Sequence, residues 1–139
     1  MQSKKVFLSP DVFVAYIDRA DPKHLHATAL FRYFAQERYV LYVNPNTIST
    51  VYQKVSHTIS AFVAKDFLKA MSLSTINLLH SEESDVKLVY KTIINYQSTE
   101  LSFDETLLSV MASRRSIPFI CTFSYLHPLF GLSIFYLPI

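Results

Sequence analysis

The chain has 139 residues, with 13 basic and 11 acidic side chains scattered along it for a net charge of +2. That balance excludes the dense Lys/Arg stripe of a dedicated nucleic-acid binder while still permitting RNA contact. Half the residues are apolar, 14% are aromatic and only 17% are charged, below the roughly 25% usual for soluble domains, so part of the apolar excess is expected to cover a partner-binding face.

The length suits one compact domain over residues 1–139. Residues 4–8 (KKVFL) read as a strand that ends in Ser9-Pro10-Asp11, a hydroxyl at an N-cap, proline at the first helical position and a carboxylate in the first turn. A second helix from about residue 24 carries Ala27, Leu30, Phe31 and Phe34 at i, i+3, i+4 and i+7. Residues 39–43 (YVLYV) form the next strand. Asn44-Pro45 repeats the cap-then-proline signal, and Ile48, Val51, Tyr52, Val55 and Ile59 recur at helical spacing. That pattern runs on through Phe62, Val63 and Phe67 after a bend, then yields to a short strand at residues 74–79 (STINLL).

Ser81 opens another helix with an acidic start, whose buried face is Val86, Val89, Tyr90 and Ile93. The next helix opens at Ser102-Phe103-Asp104-Glu105, an S-x-x-E capping box, with Phe103, Leu107, Val110 and Met111 as its stripe. Arg114 and Arg115 end it, where positive charge suits the macrodipole. Residues 117–123 and 132–137 complete the strands. Strands alternating with helices predict an α/β fold, a three-layer α/β/α sandwich with a mainly parallel central sheet of about five strands.

Two stretches bear on membranes. Pro10, Asp11 and Asp18 break the N-terminal apolar run, so no signal peptide is apparent. Residues 116–139 lack any Lys, Arg, Asp or Glu, yet prolines at 118, 128 and 138 favour two buried strands and a loop over a spanning helix. We therefore expect a protein of the cytoplasm with no membrane contact. The single Cys121, read as a small buried hydrophobe on a strand, fits that reducing compartment and excludes an internal disulfide.

In a parallel sheet, ligands gather beyond the carboxyl ends of the strands. Ser9 and Ser124 each follow a strand directly, Glu105 begins a helix whose preceding loop can approach the same edge, and Thr50 lies one to two turns into its helix. The histidines suggest no rival site. His24 and His26 point apart on a helix, His57, His80 and His127 are isolated in sequence, and no zinc spacing is present. Cys121 and His127 are separated by strand and turn, without a third group to orient them as a nucleophilic pair.

Three segments carry a resemblance. Residues 6–27 (VFLSPDVFVAYIDRADPKHLHA) look like the opening of a PIN domain, where a strand ends in Asp-Thr-Asn; Ser9 stands at the first aspartate, Pro10 at the Thr and Asp11 at the Asn. ISTVYQKV resembles the helix whose Glu precedes Val-Tyr, with Thr50 in that Glu's place. Residues 101–126 (LSFDETLLSVMASRRSIPFICTFSYL) are similar to the third and fourth motifs, with Glu105 at the third acid, Asp104 beside it and Ser124 at the final Asp. GLSIFYLP, residues 131–138, is like the family's terminal strand. The chain thus resembles PIN-domain ribonucleases of the VapC toxin type.

The resemblance implies a magnesium- or manganese-dependent ribonuclease that dimerises and binds a small antitoxin protein. Here, however, hydroxyls occupy three of the four acidic positions, at Ser9, Thr50 and Ser124, and only Glu105 keeps its charge. Magnesium relies on clustered carboxylates, so Glu105 with Asp11 should bind metal weakly or not at all, leaving no source of hydroxide. Losing the acids should also relieve repulsion and stabilise the fold. Each acid has a plainer explanation as well: Glu105 as partner of Ser102 in a capping box, Asp11 as a first-turn carboxylate.

These readings favour a catalytically impaired PIN-like module that binds RNA or protein. Two alternatives stand beside it. One is an active endoribonuclease with a rearranged site built on Asp11, Asp104 and Glu105, although neighbours on a helix diverge by about 100°. The other is a homodimeric interaction protein, with Tyr16, Tyr33, Phe31 and Phe34 as interface candidates.

Overall fold

The computed structural model describes residues 3–97 and 100–138, so the last residue of the uncharged C-terminal stretch lies outside it. In chain order the elements are β1 (Lys5–Leu8), α1 (Pro10–Ile17), α2 (His24–Gln36), β2 (Val40–Val43), α3 (Pro45–Thr58), α4 (Ala61–Leu73), β3 (Asn77–Leu78), α5 (Glu83–Asn95), α6 (Phe103–Arg114), β4 (Phe119–Cys121) and β5 (Ser133–Ile134). Among the described residues the strands form one parallel sheet in the order β3-β2-β1-β4-β5. Among the described residues no helix is long and apolar enough to cross a membrane.

Central β1 is the reason for the layers. Val6, Phe7 and Leu8 are all fully buried, as expected of a strand covered on both faces. Because side chains alternate, Val6 and Leu8 join the core built with α1, α2, α3 and α4, whereas Phe7 joins the core of α5 and α6. Register fixes the ends: Val6 pairs with Leu41 of β2 and Phe119 of β4, and Leu8 with Cys121. The α/β sandwich with a parallel central sheet is therefore present as the sequence predicts.

The differences have local causes. The long helical pattern breaks into α3 and α4 at residues 59–60, where both Ile59 N–H and Ser60 N–H donate to Val55 O (2.9 and 3.1 Å) and Ser60 Oγ caps α4 by accepting from Val63 N–H at 3.1 Å. Ile59 thus leaves the buried stripe and is exposed. Edge strands shrink: residues 74–79 give only Asn77–Leu78, and residues 132–137 only Ser133–Ile134, because an edge has one neighbour to pair with.

On α5, Val89 is buried but Tyr90 is exposed. Phe103 sits at the open first turn of α6 and is 43% exposed, not part of a stripe; every residue from 106 to 112 is buried, so this helix is covered all round. Phe34, considered for an interface, belongs to the core, where its ring lies 4.9 Å from that of Phe135 and 5.3 Å from that of Tyr39. Tyr16 stays at the surface against Phe31.

Arg114 and Arg115 do more than answer the helix dipole. Arg114 Nη1 lies 2.6 Å from Asp85 Oδ1 and Arg115 Nη2 2.8 Å from Asp85 Oδ2, while Glu82 N–H donates to Oδ2 at 2.7 Å. Asp85 is fully buried, and this pairing ties α5 to the end of α6. Burial alone would raise its pKa, but hydrogen bonds from Arg115, the Glu82 backbone and Arg114 outweigh that and lower it to about 2.

Candidate functional site

At the carboxyl edge of the sheet the chain leaves β1 into α1, β2 into α3, and β4 into a loop, and the amino end of α6 lines the same cavity. Ser9 remains in the sheet plane because its N–H donates to Cys121 O at 3.0 Å, and Pro10 then starts α1. Asn44 caps α3 by accepting from Thr47 N–H at 2.9 Å, and Ser102 caps α6 by accepting from Glu105 N–H at 3.1 Å. The amino ends of three helices therefore face one cavity of about 340 Å³.

All six residues singled out in the sequence line that cavity: Ser9, Asp11, Thr50, Asp104, Glu105 and Ser124. Their roles differ from expectation. Ser9 holds the N-cap position without capping; its hydroxyl donates instead to Asp11 Oδ1. Asp11 Oδ2 accepts from Phe123 N–H at 3.0 Å and Ser124 Oγ at 2.8 Å, and Thr122 Oγ1 reaches both carboxylate oxygens at 3.3 and 3.2 Å. Asp104 is exposed and accepts from Asn46 Nδ2 at 3.3 Å. Thr50 is an exposed hydroxyl on the α3 face.

Glu105 is only half of the expected capping box. Its backbone N–H meets Ser102, but its Oε2 accepts from the N–H of His127 at 2.9 Å and lies 2.7 Å from His127 Nδ1. A carboxylate can only accept, which places the imidazole proton on Nδ1. The rings of Tyr96 and Tyr125 flank that imidazole at 5.9 and 4.9 Å. Sequence reading treated His127 as isolated because its partner lies 22 residues upstream. Asn44 was likewise read only as a helix-start residue, Thr47 was not singled out, and Thr122 was noticed only as part of a motif.

Whether these groups suit magnesium or manganese follows from the donor set. The cation needs carboxylate oxygens with lone pairs turned toward a common point. Asp11 gives both its oxygens to protein donors, Glu105 gives Oε2 to His127 and leaves one oxygen over, and Ser9, Thr50 and Ser124 offer neutral hydroxyls. Among the described residues no three His, Cys, Asp or Glu side chains are arranged to hold a metal ion, so the residues present do not fit the group, and the set Asp11, Asp104 and Glu105 does not converge as a rearranged site requires. Cys121 offers no nucleophile either. Burial, and secondarily the charge of Asp11, push its thiol up to about 12.

No protein-family model matches the sequence, and no curated protein does. Among solved structures, the chain is similar to VapC20 of Mycobacterium tuberculosis, a toxin that cleaves the sarcin-ricin loop, with a TM-score of 0.76 over 91% of this chain and 92% of that one. Sequence identity across that superposition is 16%, a level at which the likeness speaks for the fold and not for the chemistry. The chain has the PIN-like fold of a VapC toxin.

Proposed function

We propose that this protein is a VapC-related, PIN-like module of a single domain that no longer cleaves RNA and works in the cytoplasm by binding a protein partner, either a second copy of itself or a small antitoxin-like protein. One observation carries the reading. Asp11 and Glu105, the acids best placed to bind a cation, are both committed to fixing the loop after β4. Turning Asp11 to a metal would strand the donors on both its oxygens, at a cost of roughly 1–3 kcal/mol for each group left unpaired. With Asp11 held in place, Glu105 is the one of the two with an oxygen left for the cation.

A protein partner is favoured over an RNA groove by the surface. Leu25, Phe62, Leu73 and Ile94 stand largely in solvent, an apolar excess that protein interfaces cover. Among the described residues Lys54 is the only basic side chain lining the cavity, far short of the phosphate-tracking charge that RNA binding draws on. The test pairs a manganese titration by calorimetry with an RNA cleavage assay on the same preparation. The reading expects neither heat of binding nor cleavage; metal-dependent cleavage abolished by Glu105→Ala would end it.

A further inference from the structure

We propose that the cavity at the sheet edge binds an uncharged, hydroxyl-bearing ring compound of the nucleoside or sugar class. Charge balance argues against ions of either sign. The amino ends of α1, α3 and α6 open onto the cavity, and together they supply roughly one and a half positive charges. Lys54 adds one more, and against them stand the three carboxylates of Asp11, Asp104 and Glu105. The sum is close to zero, so neither a divalent cation nor a phosphate meets a decisive field.

Unused hydrogen-bonding capacity beside apolar walls is what the lining does offer. Thr47 is 3% exposed and lines the cavity; its N–H is held by Asn44, but its hydroxyl makes no hydrogen bond to the described residues. Asn44 is 2% exposed, and its Nδ2 meets only the thioether of Met111 at 3.6 Å, a weak acceptor that a ligand oxygen would improve on. Both groups keep capacity that a bound hydroxyl can take up; the one fully buried polar side-chain atom without a partner among the described residues, Ser109 Oγ, lies outside the cavity lining. Leu108 and Ile120 make an apolar wall, while the ring of Tyr125, 73% exposed, lies at the mouth where a flat or puckered ring can stack on it. A volume of about 340 Å³ holds one molecule of nucleoside size. The inference rests on the proposed function only in that the cavity is not a metal site.

The experiment is a titration of the full chain, followed by amide shifts in two-dimensional NMR, with adenosine, uridine, ribose, inorganic phosphate and manganese chloride as separate probes. At least one neutral probe should give saturable shifts at Asn44 and Thr47. Thr47→Val, which keeps shape and removes the hydroxyl, should weaken that binding about tenfold without altering the spectrum away from the cavity. Nucleosides binding more tightly than ribose, and losing the advantage in Tyr125→Ala, would place the base on Tyr125; equal binding by ribose would assign the sugar class. Silence from every neutral probe at millimolar concentration, or stronger shifts from phosphate, overturns the inference. Manganese broadening these resonances while a neutral probe still binds would sink the metal-free reading alone.

Discussion

Asp11 and Glu105 hold the two ends of one loop. Asp11, in the first turn of α1, takes Thr122, Phe123 and Ser124, and Glu105, in the first turn of α6, takes His127 by both its backbone and its ring. Two carboxylates that line one cavity are here turned onto the protein itself. The loop closes one side of the cavity through Ser124, Tyr125 and Leu126, so the same two carboxylates shape whatever the cavity binds.

If that clamp is structural, Asp11→Ala should destabilise the fold although Asp11 lies at the rim. The Phe123 N–H and the hydroxyls of Ser9, Thr122 and Ser124 lose their acceptor, for an expected loss of roughly 1–3 kcal/mol. Urea denaturation of the variant beside the parent measures it. A shift within experimental scatter would mean that the loop holds without Asp11.

Acid should weaken the molecule through Asp85. Its folded-state pKa of about 2 lies below its ordinary value of 3.8, so the deprotonated form is favoured by folding. That stability is fully present above about pH 4 and is lost as pH falls toward 2, by about 2 kcal/mol from this group. Asp85→Asn should flatten this part of the pH profile. It should also cost stability at pH 7, toward the lower end of the roughly 3–5 kcal/mol for a broken buried pair, because Arg114 and Arg115 keep partial access to water. Denaturation curves at several pH values, parent against variant, check both.

Cys121 should be inert while the protein is folded. Its thiol is buried and shifted up to about 12, so almost no thiolate exists at pH 8. A thiol-reactive chromophore should label the native chain negligibly at that pH and the urea-unfolded chain fully. Rapid labelling without denaturant would contradict the burial of β4.

Ser116 follows α6 with a φ of 57°, left-handed backbone that suits glycine. Ser116→Gly should therefore stabilise the protein, by up to about 1 kcal/mol, since a side chain costs roughly 1–2 kcal/mol there and glycine returns part of this as unfolded-state entropy. Thermal melts would show a modest rise. A fall would mean that the Ser116 side chain has a role its geometry does not reveal.

Much of the fold was legible because its signals are local. Ser9-Pro10 and Asn44-Pro45 mark helix starts through proline's fixed φ, and α2 begins at His24 as its stripe predicts. Ser9, Asp11 and Ser124 reach the cavity because they directly follow β1 and β4 at the sheet's carboxyl edge, whereas Thr50, Asp104 and Glu105 are brought there by α3 and α6. What stayed hidden is long-range pairing: Glu105 with His127, Asp85 with two arginines some thirty positions away, and Asp11 with residues beyond β4. A carboxylate in a first helical turn reads alike in sequence whether it serves the dipole, a metal or a distant backbone N–H. Tyr90 and Phe103 erred for a related reason, since helical spacing marks a possible stripe but not where its cover ends.

The most direct measurement restores the missing charge. Manganese binding by calorimetry and cleavage of a labelled RNA would be compared between the parent and a variant carrying Ser9→Asp, Thr50→Glu and Ser124→Asp. We predict no manganese binding and no cleavage by the parent, and measurable manganese binding by the variant together with lower thermal stability from the clustered carboxylates. Manganese-dependent cleavage by the parent, lost on Glu105→Ala, would contradict the account.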